Sequence, residues 1–279
     1  MKTYKVLNLS LIFLSLTACN KHIDHIQFLN AKNKIIEFKY SSSDEQYLLD
    51  LRQNFMPDTL VESAESDLEK ASIICNWVHN LWEHNGVTTP IINDPISIIT
   101  EAQNGGSFRC VEYSIVIQGC LTALSIPSRI VVLMTKDVET IDKWGSHYVV
   151  EAYIKEYGKW CMIDGQRNAI PRLAEIPLSA IEFQNALANE NPKLNVLNLS
   201  DLSTPPYFRW IKPSLYFFQY YVDNRIDSDQ KEENKIMLVP VGAKEPKVFQ
   251  RNTVIKNVTY SNSLLNIYDP PKNYNIYNE

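Results

Sequence analysis

Residues Cys110 to Leu124 read CVEYSIVIQGCLTAL, a mostly apolar run of helical length that stops just short of Pro127. A proline disfavours helix in the residue before it, so the run ends where the chain needs it to. This is a buried helix, and the remaining residues have to cover it. The segments after it are short and rich in β-branched residues. Arg129 to Met134 reads as a strand, and His147 to Ile154 and Lys159 to Ile163 read as two more, with Glu156-Tyr157-Gly158 as their hairpin turn.

Other stretches carry weaker signals. Apolar residues at steps of three and four from Leu60 to Trp82 predict a helix over 60–85, stopped by Gly86. Asp94-Pro95 looks like an N-cap followed by proline at the first helical position, opening a helix to about Ala102. Ser179 to Glu182 has the capping-box pattern of a helix reaching about Glu190. Residues 192–215 hold four prolines and read as a connecting loop. Strand-like segments follow around Tyr216–Tyr220, Ile236–Val241 and Val254–Tyr260. They make the C-terminal third β-rich, either packed on the first part or appended to it.

Composition excludes several classes. Of 279 residues, 27 are Lys or Arg and 32 are Asp or Glu, a net charge of -5 with no basic cluster, which argues against a nucleic-acid binder. Apolar residues at 45% rule out a wholly disordered chain. The N-terminus reads as an address. Lys2 and Lys5 precede a short apolar stretch, Val6 to Leu16, too brief to cross a bilayer. Leu16-Thr17-Ala18-Cys19 resembles a bacterial lipobox, which implies cleavage before Cys19, a lipid on that cysteine, and residence in the bacterial cell envelope at a membrane surface. The expected organisation is a signal peptide at 1–18, a tether at 19–57, a core at 58–195, a β-rich part at 196–268 and a tail at 269–279.

Four further cysteines remain: Cys75, Cys110, Cys120 and Cys161. None has the spacing of a zinc site, and no calcium loop is present, so neither metal nor cofactor is expected. His79 and His84 are expected to face solvent from one helix. Cys75 and Cys161 fall in apolar patterns and read as buried thiols, while Cys110 follows a Gly-Gly turn at the start of its helix. The positive end of a helix favours the thiolate, which is the attacking species. His147 opens one strand of the hairpin and Asp164 ends the other, so both lie at the same end. A carboxylate there can hold one imidazole nitrogen while the other faces the cysteine, the logic of a nucleophile, base and orienter. Gln103 or Asn104 could donate to an oxyanion, or simply occupy a turn. Trp77 and Trp82 read as core. The aromatic segments Tyr207–Trp210 and Tyr216–Tyr221 either pack or line a substrate groove.

The segment GGSFRCVEYSIVIQGCLTALSIPSRIVVL, with Trp77 on the helix before it and GSHYVVEAYIKEYGKWCMIDGQ after it, resembles the transglutaminase-like superfamily, a branch of the papain-like thiol enzymes. The likeness covers about residues 68–170. It implies an α+β fold with the Cys-bearing helix packed on an antiparallel sheet, and it casts Cys110 as nucleophile, His147 as base and Asp164 as orienter. Three neighbours depart from the family habit. Val111 stands where an aromatic residue or glycine is common, Tyr148-Val149 where Ala-Trp is common, and Gly165 where proline is common. The implied chemistry is acyl transfer from an amide of a peptide or protein through a thioester, to water in a peptidase or amidase or to an amine in a cross-linker. The alternative is a catalytically silent binding or scaffold lipoprotein that keeps the fold.

Overall fold

The computed structural model describes residues 25–31, 36–198, 203–226 and 233–272. The expected signal segment, Cys19 and residues 273–279 lie outside them. The helices are α1 Gln46–Phe55, α2 Pro57–Leu60, α3 Asp67–His79, α4 Pro95–Gln103, α5 Cys110–Ala123, α6 Ala180–Ala188 and α7 Thr204–Ile211. The strands are β1 Ser128–Met134, β2 Ser146–Ile154, β3 Lys159–Ile163, β4 Ala169–Leu173, β5 Ile176–Pro177, β6 Leu194–Asn198, β7 Phe217–Tyr221, β8 Lys235–Leu238, β9 Val248–Phe249, β10 Thr253–Val254 and β11 Val258–Ser261. The fold is α+β.

One six-stranded sheet runs β11-β8-β7-β1-β2-β3, antiparallel except for the β11–β8 pair at its edge. The C-terminal third therefore adds strands to the same sheet, with β7 directly beside β1. Residue 195, where the sequence divides core from C-terminal part, lies inside β6, which pairs with β4 in a smaller sheet of order β5-β4-β6.

Helix α5 is the centre of one core. Val116, Ile117 and Leu121 are wholly buried, each contributing about 1.5–3 kcal/mol relative to exposure. It packs with Val150, Ala152 and Ile154 of β2 on one side and with α1, α3 and α4 on the other. Gly119 lets α4 come close, because a Cβ there would sit 2.5 Å from Pro95 Cγ.

Capping chemistry sets several boundaries. The Asp94 side chain accepts from Ser97 N at 3.0 Å, and Ser179 and Glu182 form the reciprocal pair read from the sequence. Three expectations are corrected. The helix read over 60–85 shortens to α3, with only Leu60 belonging to α2 before it. Ser66 caps α3 by accepting from Glu69 N, α3 ends at His79, and Gly86 has no left-handed φ. The loop read over 192–215 contains β6 and α7. Its prolines mislead because Pro205 and Pro206 occupy the first turn of α7, where a missing N–H costs nothing. The strand read over Val254–Tyr260 is also split, between β10 and β11.

Candidate active site

Register places the two hairpin residues. Val150 pairs with Ile163 across β2 and β3, so Asp164 falls opposite Val149 and lies diagonal to His147 on the same face. His147 Nε2 and Asp164 Oδ2 are 3.0 Å apart, and both residues are buried. That engagement leaves Nδ1 as the ring nitrogen for a second partner. Helix α5 brings its first residue into the cleft that His147 also lines, and the Cys110 side chain is among the groups that raise the His147 pKa. The three residues singled out from the sequence are thus brought together. Burial, the largest single influence, opposes a charged imidazole, but the Asp164 carboxylate, with Cys110 adding to it, pushes His147 up to about 10.

Asp164 is held from several sides. The Tyr207 hydroxyl donates to Oδ2 at 3.2 Å and the Arg167 backbone N–H to Oδ1 at 3.3 Å. Helix α3 fixes the backbone beneath it, with Cys75 Sγ 3.7 Å from the Asp164 carbonyl and His79 Nδ1 3.1 Å from the Gly165 carbonyl. The Trp210 ring lies edge-to-face on the His147 ring at 4.8 Å. The Arg167 guanidinium covers the other aromatic partner in this stack, 4.4 Å from the Trp210 centroid.

Cys110 is half-buried and lines a cleft of about 1410 Å³ that also takes in His84, Trp144, Tyr148, Gln166 and Trp210. The other described cysteines are free and buried. Burial pushes the Cys75 and Cys161 thiols up, and the Cys120 thiol to about 12. Cys110 alone among the four opens onto the cleft.

Several expectations fall differently. Gln103 and Asn104 are exposed, and the Asn104 amide folds back onto the Thr100 carbonyl at 2.8 Å, so neither is brought to the thiol. His79 and His84 do not share a helix. His79 is half-buried against Gly165, while His84 is exposed as expected, at the cleft, where desolvation and then the charges of Arg167 and His147 lower its pKa. Trp77 and Trp82 pack in the core as expected. The segment Tyr207–Trp210 does both things weighed for it. Tyr207 is buried behind Asp164, while Arg209 and Trp210 line the cleft. Sequence reasoning missed Arg167 and Trp144. A helix or strand period marks neither, and Trp144 owes its place to a loop residue with φ of 64°.

Residues 55–165 match the family described as the transglutaminase-like superfamily. This segment is similar to a transglutaminase-like core. No curated protein matches the chain. Solved structures with similar chains include a candidate cysteine protease from Cytophaga hutchinsonii, at 20% identity and TM-score 0.35, covering 53% of this chain and 46% of that one. A candidate protease from Parabacteroides distasonis matches at 15% identity and TM-score 0.32, over 43% of this chain and 24% of that one. Calcium-bound LapG from Legionella pneumophila matches at 15% identity and TM-score 0.33, over 62% of this chain and 98% of that one. The chain therefore spans about half of the Cytophaga hutchinsonii chain and about a quarter of the Parabacteroides distasonis chain.

Within the matching segment, one of the three unusual neighbours has a steric cause. A Cβ at Gly165 would lie 2.5 Å from Ile117 Cδ1 and 3.0 Å from Tyr113 Cβ, so the residue after Asp164 has to be bare where α5 passes. Tyr148, another of the three, lines the cleft.

Proposed function

We propose that the chain is a cysteine-dependent acyl-transfer enzyme acting on amide bonds of a peptide or protein, with water as the acceptor. The observation that carries this reading is the buried Asp164–His147 pair at the same cleft as Cys110, whose thiol end is open to it. The match of residues 55–165 to the superfamily supports it independently. The Cys110 thiolate attacks the amide carbonyl, and His147 passes its proton to the nitrogen as the C–N bond breaks. An amine leaves and a thioester remains. His147 then takes a proton from water, the hydroxide adds to the thioester, and the thiol is restored as the acid departs. The backbone N–H of Cys110, in the first turn of α5, has no intrahelical acceptor and suits the oxyanion. Asp164 holds the imidazole in register and stabilises its charge.

Alkylation with iodoacetamide, followed residue by residue with peptide mass spectrometry across pH, tests this. Cys110 should react faster than the buried Cys75, Cys120 and Cys161, and His147→Ala should abolish that advantage. If Cys110 reacts no faster than the buried Cys75, Cys120 and Cys161, the enzymatic reading fails and a silent binding protein replaces it.

The same proposal places the enzyme in the bacterial cell envelope, lipid-anchored through Cys19. Support comes from residues 1–19 alone. Cys19→Ala should move the protein out of the membrane fraction, and an unchanged distribution would remove the anchor from the proposal.

A further inference from the structure

We infer that the cleft selects an acidic peptide, one that carries a carboxylate within two or three residues of the attacked amide. The inference rests on the thiol reading above and names its substrate class. The chain as a whole is acidic, with 32 Asp and Glu against 27 Lys and Arg. Its cleft has the opposite balance. Arg109, Lys136, Arg167, Arg209 and Lys212 line it, against the single acid Asp137 among the described lining residues. A concave site with one sign of charge concentrates ligands of the other sign.

These cations are not equally committed. Arg109 is paired with the buried Glu112 at 2.6 Å, and Lys136 lies over the Tyr216 ring. Arg167, Arg209 and Lys212 form no ion pair among the described residues. Arg167 is the most telling. It is half-buried, its face rests on Trp210, and its Nε is buried without a hydrogen-bond partner. A guanidinium that has lost water and gained only an aromatic face carries an unrecovered desolvation cost, which an anion arriving from the cleft would offset. Its planar fork matches a carboxylate.

The stack also bounds the spacing. Two ring contacts, 4.8 Å from His147 to Trp210 and 4.4 Å from Trp210 to Arg167, separate the imidazole from the guanidinium. An extended peptide covers about 3.3–3.6 Å per residue, so a carboxylate two or three residues from the amide at Cys110 reaches Arg167.

The test compares iodoacetate with iodoacetamide at Cys110 in the full chain, reading the ratio of their rates against the same ratio for a free cysteine peptide. At low ionic strength the ratio should exceed the reference about tenfold or more, and it should collapse with salt. Arg167→Gln should bring it down, Arg167→Lys should hold part of it, and the pair Arg209→Gln with Lys212→Gln should lower it separately. A second arm incubates the protein, beside Cys110→Ala, with a complex peptide digest and maps new termini. Asp and Glu should be enriched within three residues of the cleaved amides.

Selective reaction with both reagents and a ratio equal to the reference would overturn the inference while leaving the thiol reading intact. So would a raised ratio that none of the charge variants moves, because the imidazolium alone would then explain it. Cleavage without acidic enrichment would count the same way. A Cys110 that reacts selectively with neither reagent would overturn the thiol reading, and this inference with it.

Discussion

Replacing Asp164 by Asn keeps the side-chain shape and removes its charge. A full negative charge 3.0 Å from Nε2, at an effective dielectric of about 20, is worth about 5 kcal/mol to an imidazolium. At about 1.36 kcal/mol per decade that is nearly four decades in proton affinity. His147 moves from its ordinary 6.5 to about 10 in the fold even though burial opposes it, which agrees with the carboxylate being the dominant attraction. In Asp164→Asn the amide oxygen can still accept a hydrogen bond, but burial acts against the charge with no carboxylate to offset it. His147 should then titrate about three decades lower, in its ordinary range or below. Imidazole NMR of histidine-labelled protein measures this directly, with His147→Ala assigning the resonance. Alkylation of Cys110 near neutral pH should fall about 10²- to 10⁴-fold, the usual worth of a positioned base.

Linkage gives a second readout. A folded pKa above the unfolded one means that protonated His147 stabilises the fold fully below about pH 6.5, and that this contribution fades as pH rises toward about 10. The melting-temperature difference between wild type and Asp164→Asn should shrink across that window. A His147 resonance in the variant within about one unit of wild type would refute the assignment of the charge to Asp164.

Two further outcomes follow from packing. Gly165→Ala should cost about 1–3 kcal/mol in urea unfolding, because its Cβ meets Ile117 Cδ1 at 2.5 Å, and Ile117→Val in the same chain should recover part of the loss. Independent, additive losses would show that the contact is not the cause. Arg129→Met should cost about 3–5 kcal/mol by stranding Glu151, whose carboxylate sits 2.7 Å from Arg129 in a wholly buried pair. Arg129→Met with Glu151→Gln should be more stable than Arg129→Met alone, and the reverse order would overturn that account.

The three candidate site residues were legible in the sequence because each sits at an element boundary with a local signature. Cys110 follows Gly105-Gly106 and opens an apolar run, and His147 and Asp164 bracket a hairpin whose turn Gly158 adopts φ of 59°. The misreadings share a cause as well. Prolines at 205 and 206 break a helix in its interior but begin one at its N-terminus, and composition does not distinguish the two. The apolar period before Gly86 continues past His79 because Leu81 and Trp82 are needed by the core, though no longer as helix.

By itself the sequence determined the elements and the order of the three chemical groups along them. Helix periodicity, capping and strand alternation act among neighbours a few residues apart, so they are written in consecutive residues. Only the tertiary structure decided what surrounds those groups. Tyr207 reaches Asp164 across 43 positions, and Cys75 reaches it across 89. Arg167, Arg209 and Lys212 face one cleft although α6, β6 and α7 intervene between the first and the last. A charge balance confined to one concavity depends on chain crossings that bring distant residues together, and no local preference encodes it.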